Sequence, residues 1–101
     1  MVNLFQYFDE DKWMTFVSYV SKDKAYEDMY IYNYLTELNI FPDDINIVLS
    51  SLYEYMFYSN IDVFDRWLRT KIKMLDNETP IEATKKIDSC NSLREFLMRS
   101  P

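Results

Sequence analysis

The chain of 101 residues contains no glycine. Glycine normally supplies the positive-φ positions of tight hairpins and helix C-caps. A β-rich chain without it would be hard to turn, whereas helices joined through Asn, Asp and Ser corners are easier to build. The expected fold is therefore all-α: a single compact bundle of about five or six helices spanning residues 1–101. Apolar residues make up 49% of the sequence, enough to form a core and too many for disorder.

Hydrophobic spacing places the helices. Asp9 can cap a first helix carrying Trp13, Phe16, Val17 and Val20 on one face, with Leu4, Phe5 and Phe8 extending it or folding back. Lys24 to Leu38 sets Tyr26, Tyr30, Tyr34 and Leu38 at four-residue steps, a pattern whose Tyr and Ile content would also suit a strand. Phe41-Pro42-Asp43-Asp44 breaks the chain and starts a helix with Ile45, Val48, Leu49, Leu52 and Met56 in one stripe. Asn60 or Asp62 can cap the next helix, in which Ile61, Phe64, Leu68, Ile72 and Leu75 share a face and Asp76-Asn77-Glu78 ends the run. Thr79-Pro80-Ile81-Glu82 reads as a capping box with proline at the first helical position, followed by Ile81, Thr84 and Ile87. Ser92-Leu93-Arg94-Glu95 repeats that pattern and predicts a short last helix with Leu93, Phe96 and Leu97 on its apolar side.

The sequence excludes much chemistry. Without histidine, the commonest acid–base group and metal ligand is missing. One cysteine without histidine cannot make the usual zinc sets, and a glycine-free chain has no P-loop or dinucleotide fingerprint. Asp9-Glu10-Asp11 and Asp43-Asp44 stand where helices begin, so capping explains them better than a cation site. Composition alone leaves a glycosidase-like carboxylate pair open, but no pair is singled out. The expectation is a protein that is not an enzyme and has no catalytic residues, cofactor or metal. Cys90 is read as a small buried or half-buried residue; a single cysteine allows no internal disulfide and fits a cytoplasmic setting. No apolar stretch is long enough to span a bilayer, and Met1 to Asp11 is acidic and aromatic, unlike a signal peptide.

Charge is unevenly divided. Residues 1–60 hold three Lys against ten Asp and Glu, a balance of −7; residues 61–101 hold eight Lys and Arg against seven, a balance of +1. An acidic chain is repelled by phosphate backbones, so direct nucleic-acid binding is disfavoured. Seven of the nine tyrosines lie between residues 26 and 58: Tyr26, Tyr30, Tyr32, Tyr34, Tyr53, Tyr55 and Tyr58. One helical face cannot bury them all. They either wrap the core with their hydroxyls in water or form an interface, where tyrosine and methionine are enriched.

In the last forty or so residues, Phe64, Arg66-Trp67-Leu68-Arg69-Thr70, Leu75, Thr79-Pro80-Ile81-Glu82 and a closing Leu93 to Arg99 occur in order. This order resembles the C-terminal toxin-binding domain of Xre/MbcA/ParS-type antitoxins, over residues 61–101. The order and spacing of these pieces together carry the resemblance. The resemblance implies a helical protein that neutralises a RES-type toxin, one that attacks NAD, by docking with its tail over the active-site entrance. It places Arg94, Arg99 and the residues near Pro101 on the partner-facing side, and Trp67, Arg69, Phe96 and Met98 are further candidate partner-binding residues. Where the family carries glycines, this chain has Asp76-Asn77 and Cys90-Asn91, and asparagine is the non-glycine residue that best tolerates the left-handed basin. The acidic residues 1–60 lack the basic recognition helix that a DNA-binding antitoxin would need.

Two functional expectations follow, both with another protein as partner. The first is an antitoxin-like module that blocks a toxin sterically. The alternative is an acidic inhibitor of the phage or plasmid type, imitating nucleic acid on a DNA- or RNA-processing enzyme through Asp9, Glu10, Asp11, Asp23, Glu27, Asp28, Asp43 and Asp44. Regulation of transcription through a degenerate helix-turn-helix, a helical scaffold and a homo-oligomer are further options that the sequence leaves open.

Overall fold

The computed structural model describes residues 4–22, 30–57 and 60–99. Among these it contains six α-helices, two short 3-10 turns and no strand, as expected for an all-α bundle. The radius of gyration is 12.8 Å, matching the ~13 Å of a compact domain of about 100 residues. No described helix is long and apolar enough to cross a membrane.

A 3-10 turn at Leu4–Tyr7 precedes α1 (Glu10–Lys22). Asp9 caps α1, its Oδ1 accepting from the Lys12 N–H at 3.0 Å, and Trp13 and Val17 face inward. The chain folds back before the helix rather than extending it: Leu4 is buried, and the Phe5 N–H donates to Ser92 Oγ at 3.0 Å. The second expected helix is described as α2 (Tyr30–Leu38), with Ile31 and Leu35 fully buried; its Tyr26 and Met29 positions lie outside the described residues. Asn39 ends α2 at φ 53°, a positive angle taken by asparagine where other chains place glycine.

Pro42 begins α3 (Asp43–Tyr55), whose first turn carries Asp43 and Asp44 toward the positive end of the helix dipole. Ile45, Val48, Leu49 and Tyr53 are buried. Met56 was expected on this stripe but is 40% exposed; it lies beyond the last turn of α3, and Tyr53 takes the inward position. Asn60 caps α4 (Ile61–Leu68), its side-chain oxygen accepting from the Asp62 and Val63 N–H groups.

Two expectations for the last third need correction. The helix does not run on from Leu68 through Ile72 and Leu75. It stops at Leu68, and Ile72 makes an isolated antiparallel bridge with Glu78 around a 3-10 turn at Lys73–Leu75. The β-branched Thr70 and Ile72 favour this exit from helix, and the turn still delivers Leu75 to the core. Asp76 and Asn77 close the turn at φ 58° and 62°. Likewise Thr79 starts only the single turn α5 (Pro80–Ala83), although its capping box is complete: Glu82 N–H to Thr79 Oγ1 at 3.0 Å and Thr79 N–H to Glu82 Oε1 at 2.9 Å. The last helix, α6 (Ile87–Arg99), is long rather than short. Ser92 lies inside it and is no cap; Cys90 and Asn91 are helical rather than a corner; Ile87 is 77% exposed rather than part of an apolar stripe.

One core joins the elements. Trp13, Ile31, Leu35, Ile45, Leu49, Phe64, Leu68, Leu75, Leu93 and Leu97 belong to a continuous buried cluster drawn from both halves of the chain.

Candidate protein-docking surfaces

The residues suggested by the antitoxin resemblance fall into three places. On α4, Trp67 is half-buried against Phe57 at 5.4 Å and Phe64 at 6.2 Å, so its ring seals the core. Arg69 is exposed and pairs with Asp65 at 3.2 Å, and Asp65 also accepts from the Tyr34 hydroxyl at 3.3 Å. The hydrogen bond and charge of Asp65 raise the guanidinium pKa further, and α2 is thereby tied to α4.

At the C-terminal end of α6, Phe96 and Met98 are half-buried beside the core. Arg99 is exposed, bonded to Glu95 at 2.7 Å, and its Cζ lies 5.3 Å from the Tyr7 ring centre, so it clasps the N-terminal turn. Pro101 lies outside the described residues.

Arg94 belongs to a third place. Its Nε donates to Asp44 Oδ2 at 3.2 Å, its Nη1 donates to Asn91 Oδ1 at 2.9 Å, and its Cζ is 6.0 Å from the Trp13 ring centre. The Trp13 indole N–H donates to the same Asp44 oxygen at 2.6 Å. Asp44 Oδ1 accepts from the Ile45 N–H at 2.9 Å. One carboxylate thus binds α1, α3 and α6 together, and Arg94 is committed inside the molecule. Around this knot lies a cleft of about 240 Å³ lined by Phe8, Glu10, Met14 and Ile87 above Trp13, Asp44 and Arg94. Met14 is 51% exposed and Ile87 77% exposed. The sequence reading missed this cleft. Its one visible signal was Met14, a large apolar residue off the core stripe of α1; Ile87 was expected on an apolar stripe and is exposed instead.

The acidic set divides as well. Asp9 is a cap and Asp44 is internal, while Glu10, Asp11 and Asp43 are exposed, with Asp43 accepting from the Tyr32 hydroxyl at 2.9 Å. Asp23, Glu27 and Asp28 lie outside the described residues. The described tyrosines divide between core and surface. Tyr53 is buried edge-on to Phe64 at 5.2 Å, and burial, then the proximity of Tyr30, pushes its hydroxyl pKa up. Tyr19 and Tyr30 are 75% and 68% exposed. Tyr26 and Tyr58 lie outside the described residues.

Cys90 is buried, and that burial raises its thiol pKa, opposed by the charge of Arg94 and assisted by that of Asp44. Such a thiol is a poor nucleophile at neutral pH. Among the described residues, no group of three or more Cys, Asp or Glu side chains is arranged to hold a metal ion.

No protein-family model, no curated protein and no solved structure matches this chain. The functional reading therefore rests on the residues themselves.

Proposed function

We propose that this chain is an antitoxin-like protein-binding module, acting in the cytoplasm, that neutralises a toxin by covering it. The observation that carries this reading is the backbone at Asp76 and Asn77. The antitoxin pattern places glycine between its leucine and its Thr-Pro cap. Both residues here adopt positive φ, at 58° and 62°, so the corner expected of glycine is present without glycine. The complete capping box at Thr79 follows at once, and α6 ends in Phe96, Met98 and Arg99. In this reading the partner covers the exposed edge of the end of α6, Arg99 together with the uncovered parts of Phe96 and Met98. Trp67 holds the scaffold from behind, and the role of Arg94 is to fix α6 in place.

Co-expression with a RES-type toxin tests the proposal. Growth rescue and co-purification are expected, with both lost in Arg99→Glu and both kept in Lys85→Glu. Absence of a complex and of rescue would sink it. The nucleic-acid-mimic reading has less support: of its eight carboxylates, Asp44 is committed to Trp13 and Arg94 inside the molecule and Asp9 to capping α1.

A further inference from the structure

We propose that the cleft between α1 and α6 is a second docking site, one that receives an aliphatic side chain flanked by lysine or arginine on a segment of a partner protein. This inference does not depend on the antitoxin reading, because the cleft is built by Phe8, Glu10, Met14 and Ile87 rather than by the end of α6.

The size comes first. At about 240 Å³ the cleft falls below the ~300–1,000 Å³ typical of small-molecule pockets, and it suits an anchoring side chain better than a metabolite. The second point is polarity. Met14 and Ile87 leave half or more of their surfaces in water on either side of the opening. Large aliphatic residues gain by being covered. Met14 also lines the adjoining shallow depression with Asp11 and Tyr19, so the apolar surface continues along α1.

Charge selects the occupant. Arg94 and Asp44 neutralise each other at the floor, which leaves Glu10 as the charged residue of the lining without a side-chain partner among the described residues, with Asp11 beside it on α1. Lys12 does not offset Glu10, since two residues along a helix is about 200° of rotation and points it away. The first sixty residues add a balance of −7, a field that attracts cations. A partner segment offering an aliphatic anchor and a neighbouring cation satisfies both the apolar rim and the acid. The floor is rigid before the partner arrives, since three helices share the Asp44 carboxylate, so little ordering is required on this side of the contact.

The test uses the full chain, labelled with ¹⁵N, and a synthetic helical peptide carrying leucine and lysine at i, i+4 spacing. The peptide should shift the amides of Phe8, Glu10, Met14, Ile87 and Asn91. The same peptide with glutamate for lysine should bind at least about tenfold more weakly. Ile87→Asp should also lose about tenfold or more in affinity, from the lost apolar contact. That substitution places an acid in the first turn of α6, which the helix dipole favours, so the fold is retained. Met14→Glu provides the same loss from the opposite side of the cleft. The proposal is overturned by shifts centred elsewhere, by no binding, or by equal affinity for the glutamate peptide. It is equally overturned if sedimentation reveals a homodimer that Ile87→Asp dissolves, for then a second copy is the occupant.

Discussion

Asp44 accepts from Trp13, Arg94 and the Ile45 backbone. Removing it leaves the indole N–H without its acceptor and the partly buried guanidinium with Asn91 alone and no balancing charge. Asp44→Ala should cost about 2–3 kcal/mol in urea unfolding, the range for breaking a largely buried, charge-assisted contact. Trp13 fluorescence should shift at the same time, because its N–H loses its acceptor. This role was not legible in the sequence. The three side chains meet across separations of 31 and 50 residues, and locally Asp44 looks like one more acid in a first helical turn. The backbone at Asn77 was legible, because a glycine-free chain must place its positive φ angles on Asn or Asp. At φ 62° a glycine is relaxed and a β-branched residue is strained. Asn77→Gly should therefore hold or raise the unfolding midpoint, and Asn77→Val should lower stability by ~1–2 kcal/mol.

The same four-residue signal has two outcomes at the scale of elements. Thr79-x-x-Glu82 forms a full capping box. Ser92-x-x-Glu95 lies inside α6, where Ser92 Oγ accepts from Phe5 and Glu95 holds Arg99. The difference is tertiary: the Leu4–Tyr7 turn packs on α6 and occupies Ser92, which no reading of local pattern reveals. For the same reason the stop of α4 at Leu68 was missed, since periodicity kept Ile72 and Leu75 in phase while the chain reached the core by another route. The Thr79 cap carries a prediction. Thr79→Ala should cost about 1 kcal/mol, the usual worth of an N-cap hydroxyl. The Thr79 backbone N–H, followed by its hydroxyl, lowers the Glu82 pKa below the ordinary carboxylate value. A depressed carboxylate stabilises the fold above its unfolded pKa, and this contribution is lost as pH falls through the folded value. Wild type should therefore exceed Glu82→Ala in stability at neutral pH, and urea midpoints should converge in acid below the ordinary carboxylate range.

Across the whole molecule, the balance of −7 in the first sixty residues and +1 in the rest suggests two modules, but the packing joins them. Phe64 of α4 meets Tyr53 at 5.2 Å and Phe57 at 5.1 Å; Arg94 of α6 meets Asp44; the Leu4–Tyr7 turn lies against α6. The segment that resembles an antitoxin domain therefore obtains much of its apolar cover from residues that precede it. An isolated piece covering residues 61–101 would expose Phe64, Leu68, Leu93 and Leu97, and its helices, eight and thirteen residues at the longest, are too short to persist alone. Circular dichroism of that fragment should show far less helix per residue than the intact chain. The intact chain should unfold in urea in a single transition, coincident by fluorescence and circular dichroism. Two separated transitions, or a fragment with full helicity, would mean that the C-terminal part folds independently, and the packing at Phe64 and Arg94 would then be a docking contact between units rather than a shared core. With one transition, loss of the proposed toxin binding in any core variant of residues 4–57 reports unfolding. Only changes that keep the urea midpoint of wild type then distinguish the two proposed docking sites, Ile87→Asp for the cleft and Arg99→Glu for the end of α6, the latter checked because it also gives up the Glu95 pair.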